Sequence, residues 1–205
     1  MITKGIILAG GKGTRLRPIS DYISKHLLPV YNKPMIYYSI SVLIYAGIKS
    51  ILIICNESDI IVYRKLTQPI SKKHKVNFKF KIQQNSVGGI AESFLIGSDF
   101  IKNTDKVALM LGDNFFYGRE FPALLKRTLK DKKSYVFLCP VKNPKEFGIV
   151  YLNKKNKIIK IIEKPKNNSS NLAVTGLYIY NSKELKHVKK IKRSKRGELE
   201  ITSLN

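Results

Sequence analysis

The stretch Ile6-Ile7-Leu8-Ala9-Gly10-Gly11-Lys12-Gly13-Thr14-Arg15-Leu16-Arg17-Pro18 leaves an apolar run, passes through three glycines and ends beside two arginines. A continuous apolar run, rather than an alternating one, reads as a strand buried on both faces of a sheet. Gly10, Gly11 and Gly13 lack a Cβ, so their backbone N–H groups can approach a ligand closely and form a concave anion site. Thr14 adds a hydroxyl donor, and Arg15 and Arg17 add fixed positive charge suited to phosphate oxygens. The same residues also suit a plain strand-to-helix turn with solvated arginines. GGKGTRL matches neither G-x-G-x-x-G nor the Gly-Lys-Ser/Thr of a P-loop, so the rest of the chain has to decide.

Downstream, strand and helix patterns alternate. Pro34 opens a helix with apolar residues at Met35, Ile36, Ile40, Val42, Leu43 and Ile44, and Gly47 stops it. Ser50–Cys55 is a β-branched run, after which Ser58 and Asp59 can cap a short helix through Leu66. Phe78, Phe80 and Ile82 alternate with Lys79 and Lys81, the pattern of an edge or half-exposed strand. Gly88-Gly89 precedes a helical stretch from Ile90 to about Phe100, and Val107–Leu111 reads as a buried strand ending in Gly112-Asp113-Asn114. A basic helix near Pro122–Leu129 and a strand at Tyr135–Cys139 follow. Gly148–Leu152, Lys157–Ile162 and Leu172–Tyr180 then read as strands, with a flexible loop at Lys166–Asn171 and a helix near Lys183–Lys190. This order predicts an α/β fold: a mostly parallel sheet wrapped by helices, with an antiparallel strand addition. With neither repeat nor linker, residues 1–205 read as a single domain.

The balance of 38 Lys+Arg against 14 Asp+Glu gives a formal net charge of +24 and a pI of about 10.0. Such an excess points to an anionic partner: nucleic acid, an acidic membrane surface or phosphorylated small molecules. The lysines are spread over expected loop tips and helix faces, as at Lys130–Lys133 and Asn153–Lys157, instead of forming one stripe. The charge therefore reads mainly as compositional bias, with weak nonspecific nucleic-acid binding as a side effect. Cys55 and Cys139 each end an apolar run and read as buried free thiols, which fits a reducing cytoplasm. The N-terminus does not read as a signal peptide. Gly47 and Lys49 divide the apolar stretch Met35–Cys55 into pieces too short to span a bilayer.

Three turns fall at the carboxyl ends of the expected strands: the glycine loop, Gly88-Gly89 and Gly112-Asp113-Asn114. Open parallel α/β sheets bind ligands there, so all three are expected along one crevice. Asp113 reads either as a Mg²⁺ carboxylate or as an Asx-turn former. Lys25 is either exposed or aimed at the phosphate site, and Glu163 either accepts from sugar hydroxyls or pairs with Lys164 on the surface. His26, His74 and His187 form no triad or ligand set, which leaves acyl transfer without support.

Six segments in order carry a resemblance: Leu8–Pro18 (LAGGKGTRLRP), Lys25–Tyr38 (KHLLPVYNKPMIYY), Leu111–Gly118 (LGDNFFYG), Glu163–Pro165 (EKP), Ala173–Tyr180 (AVTGLYIY) and Arg196–Thr202 (RGELEIT). Together they resemble the sugar-nucleotide pyrophosphorylases, nearest to the group that joins a thymidine nucleotide to glucose 1-phosphate. The likeness runs from Lys4 to Asn205. It implies a Rossmann-like three-layer nucleotidyltransferase fold. It also implies a reaction in which glucose 1-phosphate attacks the α-phosphorus of dTTP, giving dTDP-glucose and pyrophosphate. By the same resemblance, Gly10, Gly11, Gly13, Thr14 and Arg15 would cradle the triphosphate. Arg15 and Lys25 would stabilise charge during transfer, and Asp113 would hold Mg²⁺. Gln84 would read the thymine edge, with Gln83 as its rival, and Gly89 would face the base. Asn114, Gly148, Glu163 and Val174 would surround the glucose, with Lys164 and Arg196 near its phosphate. The implied setting is cytoplasmic synthesis of deoxysugars for a surface polysaccharide, without a membrane or a specific nucleic acid; a homo-oligomer stays open.

The chain also departs from that pattern. The family turn before the second glycine carries proline and aspartate where this chain has Asn85, Ser86, Val87 and Gly88, and Glu92 stands for a glutamine. Both bear on base selection. Ser203 stands for an aspartate. The family's second metal-binding aspartate lies in a Trp-Leu-Asp-Thr-Gly segment beyond the position of Asn205, and this sequence has no tryptophan. The expectation is a C-terminally truncated enzyme of low or absent activity. Two further readings stay open: a non-catalytic nucleotide- or sugar-phosphate-binding remnant, and a related pyrophosphorylase using another base. A nucleic-acid module would need exposed aromatics among its basic residues. Tyr37, Tyr38, Phe115, Phe116 and Tyr117 fall inside the resemblance motifs, which counts against it.

Overall fold

The computed structural model describes residues 1–11, 13–83, 88–167 and 169–204. The apolar run before the glycine loop forms strand β1 (Thr3–Ala9). A small hairpin, β2 (Pro29–Val30) with β3 (Lys33–Pro34), leads into helix α1 (Ile36–Tyr45) and strand β4 (Ser50–Cys55). Helix α2 (Ile60–His74), strand β5 (Asn77–Ile82), helix α3 (Glu92–Ile96), strand β6 (Lys106–Leu111) and helix α4 (Phe121–Lys130) continue the alternation. Strands β7 (Tyr135–Pro140), β8 (Gly148–Leu152), β9 (Ile158–Glu163) and β10 (Leu172–Asn181) complete an eight-stranded sheet.

Its path is β5-β4-β1-β6-β10-β8-β9, with β7 branching from β10. The first four strands run parallel to their neighbours, and every pairing from β10 onward is antiparallel. Strand β10 is the joint. Its residues Leu177–Asn181 pair with β6, whereas Ala173 pairs with Ile149 of β8. Its register against β7 shifts between Val174 and Tyr178, the kind of irregularity that re-aims side chains next to a site.

Burial explains why the parallel strands read as continuous apolar runs. Ile7, Ile51, Ile53, Ala108 and Met110 pack with α1, α2 and α4 on one face. Ile6, Leu52, Ile54, Val107 and Leu109 pack on the other face with Phe94 of α3 and with Leu199 and Ile201 of the C-terminal segment. Two apolar faces and two covering layers give the three-layer α/β architecture. Each Ile, Leu, Val or Met side chain among these contributes about 1.5–3 kcal/mol on burial, and the one lysine buried in β6, Lys106, donates to the Thr128 and Lys133 carbonyls. The edge strand β5 shows the contrast: Lys79 is exposed between partly buried Phe78 and Phe80.

Several expectations need correction. The helix after β4 does not stop by Leu66 but runs to His74 with Pro69 inside it, and no Ser58 or Asp59 side chain caps it. It ends where Lys75 takes a left-handed conformation and its N–H bonds the Ser71 carbonyl. Pro34 pairs in β3, so α1 starts two residues later than the proline signal suggested. The stretch from Ile90 to Phe100 condenses to a five-residue helix followed by turns, and Glu184–Lys190 is a 3-10 helix. Cys55 is fully buried as expected, but Cys139 is exposed. It lies near the end of β7, which among the described residues pairs with β10 alone. The segment read as a flexible loop, 166–171, joins β9 to β10; residue 168 of it lies outside the described residues. Among the described residues no helix is long and apolar enough to cross a membrane.

Candidate active site

Strands β1 and β6 are parallel neighbours whose last paired residues are Leu8 and Leu111. The glycine loop and Gly112-Asp113-Asn114 therefore emerge side by side, and the Gly112 N–H donates to the Leu8 carbonyl at 2.8 Å. They border a cavity of about 590 Å³ at the carboxyl end of the parallel strands. Gly10, Lys25, Gln83, Gly89 and Asp113 line it together with Gly148, Glu163, Lys164, Val174 and Arg196.

At the rim, Lys25 Nζ donates to Asp113 Oδ2 at 2.5 Å, and Asn114 Nδ2 donates to Asp113 Oδ1 at 3.1 Å. Burial alone would raise the Asp113 carboxyl, but the Lys25 ammonium bonded to it holds it below the usual carboxylate range. The pair is braced from behind by His26, which is only 2% exposed. Burial and the neighbouring Lys25 lower the imidazole pKa to about 4, so it is neutral near pH 7. Its Nδ1 lies 3.2 Å from the Ser24 hydroxyl, which also meets the Tyr63 hydroxyl at 3.2 Å. A Cβ on Gly112 would stand 2.8 Å from His26 Cδ2, so only glycine lets the imidazole pack there. The loop after β6 is anchored on both flanks. Phe115 meets the Tyr38 ring at 4.7 Å between centroids, and Phe116 stacks on Phe121 at 4.9 Å.

The wall formed by β10 is tied to this rim through Asn114, whose Oδ1 accepts the Gly176 N–H at 3.0 Å. A Cβ at Gly176 would strike the Asn114 side chain, so β10 and the Asp113 loop fit together only around a glycine. Glu163 ends β9 opposite Gly148, and its neighbour Lys164 donates its N–H to the Phe147 carbonyl at 3.0 Å. Burial and the nearby Glu200 carboxylate raise the Glu163 pKa, with Lys164 and Arg196 opposing them. Arg196 Nη2 meets Glu198 at 2.6 Å, and Nη1 lies 3.6 Å from Glu200.

The glycine loop is partly on the wall. Gly10 faces the cavity and packs against Gln83, whose amide fills the space where a Cβ would go. Gly11 (φ +101°) donates its N–H to Asn56 Oδ1 at 3.2 Å, and Gly13 (φ +58°) opens the 3-10 turn Thr14–Leu16. Thr14 and Arg15 are exposed and do not line the cavity. Gln84 and Asn85–Val87 lie outside the described residues; Gln83, the alternative base reader, does line the cavity. Glu198 and Glu200 flank the site without having been singled out. They flank Leu199, which is buried, in a segment outside any strand, so no strand alternation pointed to them. Cys139 is a further wall residue that no motif marked, and Thr175 lines the wall from within the Ala173–Tyr180 segment without having been singled out. Among the described residues, no group of three or more His, Cys, Asp or Glu side chains is placed to hold a metal ion.

The nucleotidyl transferase family model matches residues 4–205. A glucose-1-phosphate thymidylyltransferase of Neisseria meningitidis is 47% identical over 203 residues, covering 98% of this chain and 69% of the relative. A Bacillus anthracis crystal structure, described as a candidate glucose-1-phosphate thymidylyltransferase in complex with sucrose, superimposes with a TM-score of 0.87 at 39% identity. It covers 99% of this chain and 81% of that one. UDP-glucose pyrophosphorylase complexed with UDP-glucose gives a TM-score of 0.83 at 26% identity, over 100% of this chain and 85% of that one. Motif order, sheet topology and these likenesses agree, and the chain belongs to the nucleotidyl transferase family.

Proposed function

We propose that this chain transfers a thymidylyl group from dTTP to glucose 1-phosphate, forming dTDP-glucose and pyrophosphate. One observation carries the reading: the Lys25–Asp113 pair lines the same cavity as Gly10 and as Glu163, Lys164 and Arg196. A cation–carboxylate pair at the end of parallel strands suits a triphosphate. A carboxylate with two cations suits a sugar hydroxyl and its phosphate.

In this reaction a phosphate oxygen of the sugar forms a new bond to the α-phosphorus. The bond from that phosphorus to the bridging oxygen breaks, and its electron pair leaves with pyrophosphate. The attacking oxygen is already largely ionised near pH 7, so no general base is required. What the protein has to supply is alignment and neutralisation of charge. Lys25 would turn its ammonium from Asp113 toward the α-phosphate, and Arg15 would close over the triphosphate from its exposed turn. Gln83 and Gly89 would border the base, Glu163 would accept from a glucose hydroxyl, and Lys164 and Arg196 would hold the sugar phosphate.

Asp113 fits a Mg²⁺ ion of the kind held by one carboxylate together with substrate phosphates and water, because its carboxylate is ionised and lies at the rim. Bound there, the ion would neutralise charge on the phosphate oxygens.

The test is pyrophosphate release from glucose 1-phosphate with dTTP and with UTP, in the presence of Mg²⁺. Preference for dTTP supports the assignment, and preference for UTP moves it to a pyrophosphorylase of another base. Saturable dTTP binding by calorimetry without turnover would point to a binding protein instead. Absence of both refutes the site.

A further inference from the structure

Two stretches of the cavity wall, Gly89-Ile90 and Arg196 with Glu198, are joined by a charge pair that does not itself line the cavity. Glu92, in the first turn of α3, has a side chain only 11% exposed, and Arg193 Nη2 donates to its Oε1 at 3.1 Å. Through Nη1 the same guanidinium donates to the Gly197 carbonyl at 2.6 Å. One side chain thus ties α3 to the turn that follows Arg196. Backbone bonds continue the seam: the Leu199 N–H donates to the Gly88 carbonyl at 3.0 Å, and the Ala91 N–H to the Leu199 carbonyl at 3.1 Å. The Gly88-Gly89 turn is shaped by the contact. A Cβ at Gly89 (φ +78°) would stand 2.5 Å from the Leu199 carbonyl oxygen, and the Glu92 carboxylate occupies the space a side chain at position 88 would need.

We propose that Glu92 and Arg193 are a positioning pair. They hold the segment carrying Arg196, Glu198 and Glu200 against the Gly88-Gly89 turn, and so fix the distance between the nucleotide side and the sugar-phosphate side. The inference rests on the functional reading above. An exposed ion pair contributes little. Here the carboxylate is nearly buried while the guanidinium is half exposed, so removing Arg193 strands a charge in the protein. Arginine is also the residue whose planar fork can bond a carboxylate and a carbonyl at once, which a lysine ammonium does not reproduce.

The test compares Arg193→Ala, Arg193→Lys and the double variant Arg193→Ala/Glu92→Gln with the parent chain. In Arg193→Ala, hydrogen exchange at the Ala91 and Leu199 amides should quicken about tenfold while the amides of β1 and β6 keep their protection. The KM for glucose 1-phosphate should rise about tenfold, with kcat within about threefold, because Arg196 rides on the released segment. Arg193→Lys should recover only part of this. The double variant no longer strands a charge, so its Tm should return toward the parent value while KM stays raised; recovery of both would make the pair structural only. Unchanged exchange at Ala91 and Leu199 in Arg193→Ala overturns the tie, and changed exchange with an unchanged KM overturns its positioning role. A parent chain that binds neither dTTP nor glucose 1-phosphate by calorimetry removes the functional reading, and the exchange rates still decide the tie.

Discussion

At the glycine-loop end of the cavity Thr14 and Arg15 stand exposed in a short 3-10 turn, off the cavity wall. At the other end Arg196 is already paired with Glu198 and Glu200, Glu163 is half-buried opposite Gly148, and the whole segment is sewn to the Gly88-Gly89 turn. One end is left open and the other is built before substrate arrives. A prebuilt site loses little side-chain freedom on binding, whereas an open one must be ordered by its ligand. A triphosphate, with several charges to offer, can supply that ordering; a single sugar phosphate cannot. Between the two ends sits the Lys25–Asp113 pair, the junction where the reacting phosphorus would lie.

The largest expected effect is at that junction. Asp113→Asn should lower turnover by about 10²–10³ while dTTP binding changes far less, measured by pyrophosphate release and calorimetry side by side. An equal loss in both would mean the carboxylate belongs to binding and not to transfer. Next, the two arginines should fail differently. Arg15→Ala should weaken dTTP binding about tenfold without moving Tm. Arg196→Ala should weaken glucose 1-phosphate binding and lower Tm as well, since it leaves Lys164 alone to offset Glu198 and Glu200 beside Glu163. Equal thermal losses would erase the distinction between an open and a prebuilt end.

A smaller effect follows from the Glu163 carboxyl, whose pKa in the fold lies above the ordinary 4.5 through burial and Glu200. The unfolded chain therefore gives up this proton first, and stability falls as pH rises from about 4.5 through the folded value. Glu163→Gln should raise Tm at pH 7 by a few degrees, corresponding to at most about 1 kcal/mol for a half-exposed group, and the gain should vanish below about pH 4. The smallest expected signal is chemical. Burial raises the Cys55 thiol to about pKa 12, while Cys139 is exposed on the cavity wall. A thiol reagent should modify Cys139 alone in the native chain, and glucose 1-phosphate should slow that modification.

The sequence made some parts of this plain and hid others for physical reasons. Strands buried on both faces, such as Ile51–Cys55, leave an unbroken apolar signature, and the turns at their carboxyl ends follow from chain direction alone. Lys25 and Asp113 were each left with two readings because 88 residues separate them, and only the β1–β6 pairing brings their segments together. The length of α2 was hidden by Pro69, which a helix tolerates here even though proline removes a donor. Cys139 is exposed at the end of a strand that, among the described residues, pairs on one side, a property of sheet order that its own apolar neighbours do not signal. The Glu92–Arg193 bond lies between residues 101 positions apart, beyond the reach of any local pattern.

The snug fit of Gly176 around Asn114 has an evolutionary corollary. Because strand β10 and the Asp113 loop are keyed to each other there, neither can drift without disturbing the transfer chemistry. Descendants of this fold that acquire a taste for a different sugar should therefore change the end of β9 that bears Glu163, where a substitution leaves the keyed strand where it is.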